Sequence, residues 1–151
     1  MGLLSGLFGR ADPTRDWPAG DGPVPEVNVE AGTLTVSGGG TNTGAYALSA
    51  GTTLNFAGGT NNLNAGSVAG SGTVSITGGT MNVNGGIYGV TTGMSSGVAS
   101  FNVAVSVPTL TVSGGALSGT GTVTVADMSW TGGTMTGTGQ TVVNGSLLIG
   151  G

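Results

Sequence analysis

Few residues in this 151-residue chain could perform chemistry. Six carboxylates and two arginines are its only charged side chains, and it contains no histidine, cysteine or lysine. Hydrolysis of a glycoside needs two carboxylates about 5 to 10 Å apart, yet residues 31–151 contain Asp127 alone. Serines are plentiful, but a serine nucleophile needs a neighbouring base such as histidine. The residue inventory therefore predicts a protein that is not an enzyme and uses no cofactor.

Asparagine is the one residue type that could supply several metal ligands. Asparagines follow a glycine pair in two segments, at Asn62, Asn64, Asn82 and Asn84. Calcium-binding turns place aspartate after glycine, and neutral amide oxygens without a carboxylate bind Ca²⁺ poorly. We therefore expect these asparagines to favour turns or to stack as amide ladders on neighbouring coils, and we expect no metal site.

The distribution of charge divides the chain in two. Seven of the eight charged side chains lie in residues 1–30, and residues 31–151 are neutral apart from Asp127. This break predicts a leader with a proline-rich linker over 1–30 and a repetitive body over 31–151. No basic patch could neutralise phosphates, so nucleic acid is not expected as a partner. No apolar run reaches the ~20 residues that cross a bilayer, so no membrane span is expected.

The body repeats a short unit of alternating residues followed by a glycine pair. The unit reads TLTVSGG at 33–39, TLNFAGG at 53–59, TVSITGG at 73–79 and TLTVSGG at 109–115, with a looser copy, DMSWTGG, at 127–133. The copies start 20, 20, 36 and 18 residues apart. The step of 36 leaves room for one degenerate copy at 87–106. Alternation with period two predicts half-buried strands, and the glycines predict tight turns.

A period of about 20 residues with two or three short strands predicts a repeat architecture. One unit cannot bury its own apolar stripe, whereas stacked units bury a continuous column. The predicted fold class is all-β, a parallel β-helix (β-solenoid) of about six coils and roughly 30 Å in length at the ordinary strand spacing. A β-sandwich or a triple-stranded fibre could use the same alternating strands, and the sequence leaves both open.

The leader is predicted to be a docking segment. The apolar residues of MGLLSGLFGR fall on one face of a short helix, which the glycines weaken. Four of the five prolines follow and predict an extended linker. With no basic residue before Arg10 and an apolar part broken by Gly6, the segment does not fit a cleavable signal peptide. The predicted docking residues are Leu3, Leu4, Leu7, Phe8 and Trp17.

The repeats resemble a known kind of sequence. GTLTVSGG, GSGTVSITGGTMNVNGG and LSGTGTVTVADMSWTGGTMTGTG are similar to the Gly/Thr/Ser/Asn-rich repeats of bacterial autotransporter passengers and large surface adhesins. The resemblance covers residues 31–151 and implies a right-handed parallel β-helix displayed outside a cell. GLLSGLFGR resembles the opening of some tailed-phage portal and head proteins, which implies a virion component.

Threonine pairs of the form T-x-T place two hydroxyls on one face of a strand. They occur at Thr33/Thr35, Thr109/Thr111 and Thr122/Thr124, and Asn55 and Ser75 interrupt the array. Flat threonine ladders resemble those of ice-binding β-solenoids, although threonine is also a favoured outward residue of any strand. Tyr88 and Trp130 could contact sugars, but Trp130 occupies an apolar repeat position and is expected in the core or a cap.

These features predict a non-enzymatic structural or adhesive protein that forms a rod or surface of a bacterial adhesin or a phage virion. One alternative is a trimeric phage head or tail fibre, spike or decoration protein; another is an ice- or carbohydrate-binding solenoid. The expected location is extracellular, on a cell surface or in a virion.

The expected partners are other structural proteins or further copies of this chain, with a host-surface or glycan ligand as an alternative. The final segment SLLIGG carries no charged or helical cap. An open coil edge invites strand addition. We therefore expect the last coil to be continued, capped by a partner or joined in an oligomer.

Overall fold

A computed structural model describes residues 26–151 as a parallel β-solenoid of about seven coils. All eighteen elements assigned in this range are β-strands. The predicted fold class is confirmed, with about one coil more than the sequence predicts. Within the described range, no helix is long and apolar enough to cross a membrane.

The strands follow one another coil by coil. Coil 1 contains β1 (Glu26–Val29), β2 (Thr33–Val36) and β3 (Gly40–Asn42), and coil 2 contains β4 (Ala45–Leu48), β5 (Thr53–Phe56) and β6 (Thr60–Leu63). Coil 3 contains β7 (Ser67–Gly70), β8 (Thr73–Ile76) and β9 (Thr80–Val83), and coil 4 contains β10 (Ile87–Tyr88), β11 (Thr91–Met94) and β12 (Val98–Phe101). Coil 5 contains β13 (Val105–Val112) and β14 (Ala116–Ser118), coil 6 contains β15 (Thr122–Trp130) and β16 (Thr134–Met135), and coil 7 contains β17 (Gln140–Val143) and β18 (Leu147–Ile149).

Parallel pairing between successive coils builds three sheets. The four-stranded sheet has the order β1-β4-β7-β10, and the six-stranded sheet has the order β3-β6-β9-β12-β14-β16. The eight-stranded sheet has the order β2-β5-β8-β11-β13-β15-β17, and β18 also pairs with β15. Because β1 pairs with β4, coil pairing includes residues 26–29, which the charge pattern assigns to the leader.

The strand register explains the irregular repeat spacing. Thr73 pairs with Thr91, and Thr92 in the same strand pairs with Leu110. The step of 36 is therefore two coils of 18 residues. The degenerate copy is confirmed: its strand reads TTGM at 91–94, and SSG at 95–97 replaces the TGG that follows β8.

The core is a single apolar column that runs through the coils. Each strand contributes alternate residues to it, as the period of two predicts. The largest fully buried side chains are Phe56, Phe101, Leu54, Ile76, Met81, Met94, Leu110, Val74, Val83, Val90, Val112 and Val125. Burying one such side chain contributes roughly 1.5 to 3 kcal/mol. Stacking therefore supplies the stability that a single coil lacks.

The cross-section changes after coil 4. The four-stranded sheet ends at β10, and in coils 5 and 6 the eight-residue β13 and nine-residue β15 run on without a break. Val105 and Val107, in the first half of β13, are buried like Leu110 in the second half. In coil 7 the long strand is split again into β17 and β18.

Glycine builds the corner between the eight-stranded and six-stranded sheets. Gly79 and Gly97 have φ angles of 66° and 76°, which L side chains rarely adopt. A Cβ on Gly97 would lie only 2.6 Å from the carbonyl oxygen of Gly79 in the coil before it. These glycines therefore allow successive coils to stack at strand spacing as well as to turn.

Candidate functional site

The residues able to do acid–base chemistry are scattered in the structure. Residues 26–151 carry three charged side chains, Glu26, Glu30 and Asp127. Asp127 lies in β15, and its Oδ1 accepts a hydrogen bond of 2.9 Å from the backbone N–H of Ser146. It therefore anchors the turn of coil 7. In the part of the chain that the structure describes, no three residues among His, Cys, Asp and Glu come close enough to hold a metal ion.

The most regular polar surface is the outer face of the eight-stranded sheet, which we call the threonine face. One column on it consists of Thr33, Thr53, Thr73, Thr91 and Thr109, all in register, and Asp127 follows Thr109 in the next coil. The neighbouring column consists of Thr35, Asn55, Ser75, Gly93 and Thr111. Residues recur about 4.8 Å apart along a column and about 6.6 Å apart within a strand. Over coils 1 to 5 the two columns therefore form an uncharged array of hydroxyl and amide groups, with a gap at Gly93.

Sequence reasoning found only part of this face. The pairs Thr33/Thr35 and Thr109/Thr111 lie on it, at opposite ends of the two columns. Thr122 and Thr124 lie in the first half of β15, where they pair with Gln140 and Val142 and belong to other columns. The T-x-T motif does not mark the middle of the first column, because Asn55, Ser75 and Gly93 replace the second threonine in coils 2 to 4. The available signal was the threonine that opens each repeat unit.

The asparagines form the predicted amide ladders. Asn82 Nδ2 donates to Asn62 Oδ1 at 2.8 Å, and Asn84 Nδ2 donates to Asn64 Oδ1 at 2.9 Å. Asn102 Nδ2 extends the second ladder by donating to Asn84 Oδ1 at 2.7 Å. Asn84 therefore uses both ends of its amide to join three coils. The stacking interpretation of these four asparagines is confirmed, and Asn102 is a member that the sequence analysis did not name.

Neither aromatic residue considered for sugar binding forms an open platform. Tyr88 is buried, so the expectation that it contacts sugars is wrong. Its ring packs edge-on against Phe101, with 5.2 Å between ring centroids. Trp130 is partly buried against the core cluster, which agrees with the expected core or cap position.

A buried polar pair lies where the cross-section changes. The Tyr88 hydroxyl lies 2.7 Å from Thr92 Oγ1, and that Oγ1 donates to the carbonyl oxygen of Val90 at 3.0 Å. Tyr88 must then donate to Thr92, so both hydroxyls are satisfied. Burial raises the pKa of Tyr88 above its ordinary value.

The predicted docking residues Leu3, Leu4, Leu7, Phe8 and Trp17 lie outside the described residues. Their role therefore stays a prediction. The chain matches no protein-family model, no curated protein and no solved structure. The fold and its outer faces define a structural β-solenoid with threonine-rich and asparagine-rich repeats.

Proposed function

We propose that this chain is a non-enzymatic structural protein of a bacterial surface adhesin or a phage virion. In this proposal the solenoid body is a rod, spacer or adhesive surface, and the leader attaches it to a larger assembly. The observation that carries the proposal is the continuous buried column under an outer surface with almost no charge. Such a body can act through its rod shape and its uncharged polar surface.

The contacts between coils support a mechanical role. Each coil is bonded to the next by parallel backbone pairing in up to three sheets. The amide ladders add side-chain bonds between Asn62 and Asn82 and from Asn64 through Asn84 to Asn102. About seven coils at strand spacing form a rod about 34 Å long. The number of coils sets the length of the rod, and a rod of fixed length can act as a spacer.

The charge distribution allows a direct test of surface display. Trypsin cuts after arginine and lysine, and Arg10 and Arg15 are the only such residues. Trypsin added to washed intact cells, or to purified virions, should release the whole body as one fragment that begins at Ala11 or Asp16. A matched R10Q/R15Q variant should resist release. Recovery of the chain only after lysis, and in no virion fraction, would contradict the proposal.

Native mass separates the two settings. Size exclusion with light scattering on the full chain gives the number of copies in the soluble particle. A discrete trimer supports a virion fibre, spike or decoration protein, because such assemblies use closed rotational symmetry. A monomer or an open series of sizes supports an adhesin module. The trypsin release from cells or from virions then provides an independent check.

The leader is proposed to act through its apolar residues. The double variant Leu7→Ser and Phe8→Ser removes much of the apolar face without touching residues 26–151. It should abolish incorporation of the chain into the parent cell envelope or virion. The isolated variant should keep the thermal unfolding midpoint of the native chain. Normal incorporation would show that attachment does not use this face.

The threonine face favours one second candidate, binding to ice. Five threonines in one register column, uninterrupted by charge until Asp127, form a periodic array that a crystalline lattice can match. Thermal hysteresis of the purified chain tests this, with Thr73→Lys at the centre of the threonine column and Thr124→Lys, which lies outside both columns, as the control. Thermal hysteresis that is lost in Thr73→Lys and kept in Thr124→Lys supports ice binding. An absence of thermal hysteresis in the native chain excludes ice binding. A glycan array tests the carbohydrate alternative.

A further inference from the structure

We propose that the outer edge of coil 7 is a docking surface for the outer edge of coil 1 in a second copy of this chain. Copies would then join head to tail and continue the same stack of coils. The inference concerns how copies associate and does not depend on what, if anything, the threonine face binds.

Among the described residues, the edge of coil 7 exposes apolar side chains that no further strand covers. Leu147 and Ile149 are 51% and 64% exposed, whereas the inward apolar residues of the central coils are buried. Leu147 and Ile149 pair with Met128 and Trp130, so they occupy inward column positions. They are exposed because no described strand lies on the far side of β18.

The backbone of β18 also points unpaired groups outward. The carbonyl oxygen of Ser146 accepts from Met128 N–H at 2.8 Å, and Gly150 N–H donates to the carbonyl oxygen of Trp130 at 3.1 Å. In a parallel ladder, alternate residues of a strand bond to opposite neighbours. Leu147 and Ile149 therefore direct their N–H and C=O groups toward the open edge. These groups provide a template for one more parallel strand.

The edge of coil 1 offers the complementary surface. Leu34 and Val36 in β2 are half-buried, whereas their register partners Leu54 and Phe56 are 0% and 1% exposed. A cavity of about 420 Å³ opens here, lined by residues 26–31 together with Thr33 and Leu34. Among residues 26–151, no strand lies on the far side of β2, so the apolar column ends at Leu34 and Val36.

The two edges match in layout. In coil 7 the turn between β17 and β18 spans residues 144–146, and in coil 1 the turn between β1 and β2 spans residues 30–32. Both turns therefore hold three residues, while coils 5 and 6 have no turn at this corner. Stacking coil 1 on coil 7 sets four-residue β1 against four-residue β17 and sets β2 against β18.

The apolar positions also match. Val143 would lie over Val29, Leu147 over Leu34 and Ile149 over Val36. Leu34 lies five residues after Val29, whereas Leu147 lies four residues after Val143. Coil 1 therefore has one residue more than coil 7 in this interval. Coils 6 and 7 already accommodate such a difference, because β15 pairs with β17 at an offset of 18 and with β18 at an offset of 19.

This contact uses two different edges, so it is heterologous and does not close on itself unless the rotation forms a ring. Straight stacking gives an open series of dimers, trimers and longer rods. The association should depend on protein concentration and only weakly on salt, because it uses backbone hydrogen bonds and apolar contacts.

The test is light scattering after size exclusion over a wide concentration range, with electron microscopy of the largest species. Rods that lengthen in steps of one solenoid body are expected. Ile149→Asp places a charge on the stacking edge and should weaken association by about tenfold or more, since burying an unpaired charge is unfavourable. Leu148→Asp is the matched control, because Leu148 pairs with Ser129 on the outer face and lies beside the edge.

A second variant guards against simple unfolding of coil 7. Ile149→Pro removes an N–H that faces the open edge and leaves the bonds of Ser146 and Gly150 to β15 in place. It should also suppress association while circular dichroism stays unchanged. A monomer at every concentration, a closed oligomer that survives both Ile149 variants, or equal effects of Ile149→Asp and Leu148→Asp would overturn the proposal. Each of these results leaves the trypsin test of surface display unaffected.

Discussion

At the residue scale, Thr92 is a polar side chain in a position that the register gives to an apolar one. It pairs with Val74 on one side and with Leu110 on the other, and all three are 0% exposed. Its hydroxyl is satisfied by Tyr88 and by the carbonyl of Val90. A buried polar group is tolerated only when it is hydrogen-bonded. The buried Tyr88 hydroxyl therefore depends on Thr92 for its hydrogen bond.

Substitutions at this pair should be strongly non-additive. Thr92→Val leaves the buried Tyr88 hydroxyl without its partner and should destabilise the fold by about 1 to 3 kcal/mol. Tyr88→Phe leaves the bond from Thr92 to Val90 intact and should cost about 0.5 to 1.5 kcal/mol. In the double variant no hydroxyl is orphaned, and the new valine side chain fits between Val74 and Leu110. Urea unfolding of the four proteins measures the coupling, and additive costs would contradict it.

Tyr88 also predicts how stability depends on alkaline pH. Burial raises its pKa in the folded protein above the ordinary value of about 10. Above that pH the unfolded chain loses the phenolic proton and the folded chain keeps it. The free energy of unfolding should therefore be steady below pH 10 and fall as pH rises beyond it.

Urea midpoints between pH 7 and pH 11 measure this fall. Tyr88→Phe should flatten the curve. A smaller fall should remain from Tyr46, whose pKa burial also raises. An unchanged alkaline slope in Tyr88→Phe would assign the effect to other groups.

At the element scale, the glycine corner decides whether coils can stack. Gly97 has a φ of 76°, and a Cβ there would lie 2.6 Å from the carbonyl oxygen of Gly79. Gly93, four residues earlier in the same coil, has an ordinary φ and open space where a Cβ would be. The two glycines of coil 4 therefore serve different purposes, although the sequence presents both as isolated glycines.

Alanine substitutions should separate these purposes. Gly97→Ala should destabilise the protein by more than about 1 kcal/mol, because it adds both backbone strain and a backbone clash. Gly93→Ala should be neutral or stabilise the strand by about 0.5 to 1 kcal/mol. Chemical denaturation midpoints give the comparison. Equal losses in the two variants would show that the corner is not what limits coil stacking.

The amide ladder joins coils through a single side chain. Asn84→Ala removes one bond to Asn64 and one from Asn102, and should cost about 1 kcal/mol because the ladder is exposed. Asn84→Asp keeps the acceptor for Asn102 and loses only the donor to Asn64, so its loss should be smaller at neutral pH. Thermal unfolding of both variants checks the order. A larger loss for Asn84→Asp would indicate that an added charge on this ladder outweighs the bond it keeps.

At the scale of the whole molecule, the solenoid is a one-dimensional stack. Each coil contacts mainly its neighbours, so local stability should depend on position along the rod. The central coils have neighbours on both sides, while Val142 and residues 147–149 of coil 7 remain exposed. Stability should therefore be graded along the rod, with its least stable part at coil 7.

Hydrogen exchange measures this gradient. In dilute solution, amides of β8 and β11 should exchange most slowly, and amides of β17 and β18 should exchange fastest among the strands. Asp127→Ala should speed exchange in β18 further, because it removes the bond to Ser146 N–H, and Asp127→Asn should not. Uniform protection from coil 1 to coil 7 would show instead that the stack opens as one unit.

The sequence by itself determined the repeat and the faces of its strands. Alternation is local, so Val74 and Ile76 could be assigned inward from neighbouring residues alone, and burial confirms this. A 20-residue period with glycine pairs implied stacked coils, and equal spacing implied that Asn62 would meet Asn82. These results follow from chain periodicity, which parallel in-register stacking preserves.

Only the tertiary structure decided how many sheets form the sides of each coil and where one strand runs on without a turn. The period of two does not say where the chain turns, so the split into β10 and β11 in coil 4 and the continuous β13 in coil 5 were not predictable. The inward turn of Tyr88 depends on its contacts with Phe101 and Thr92, which come from other strands. These features arise from contacts between distant residues, which local pattern does not encode.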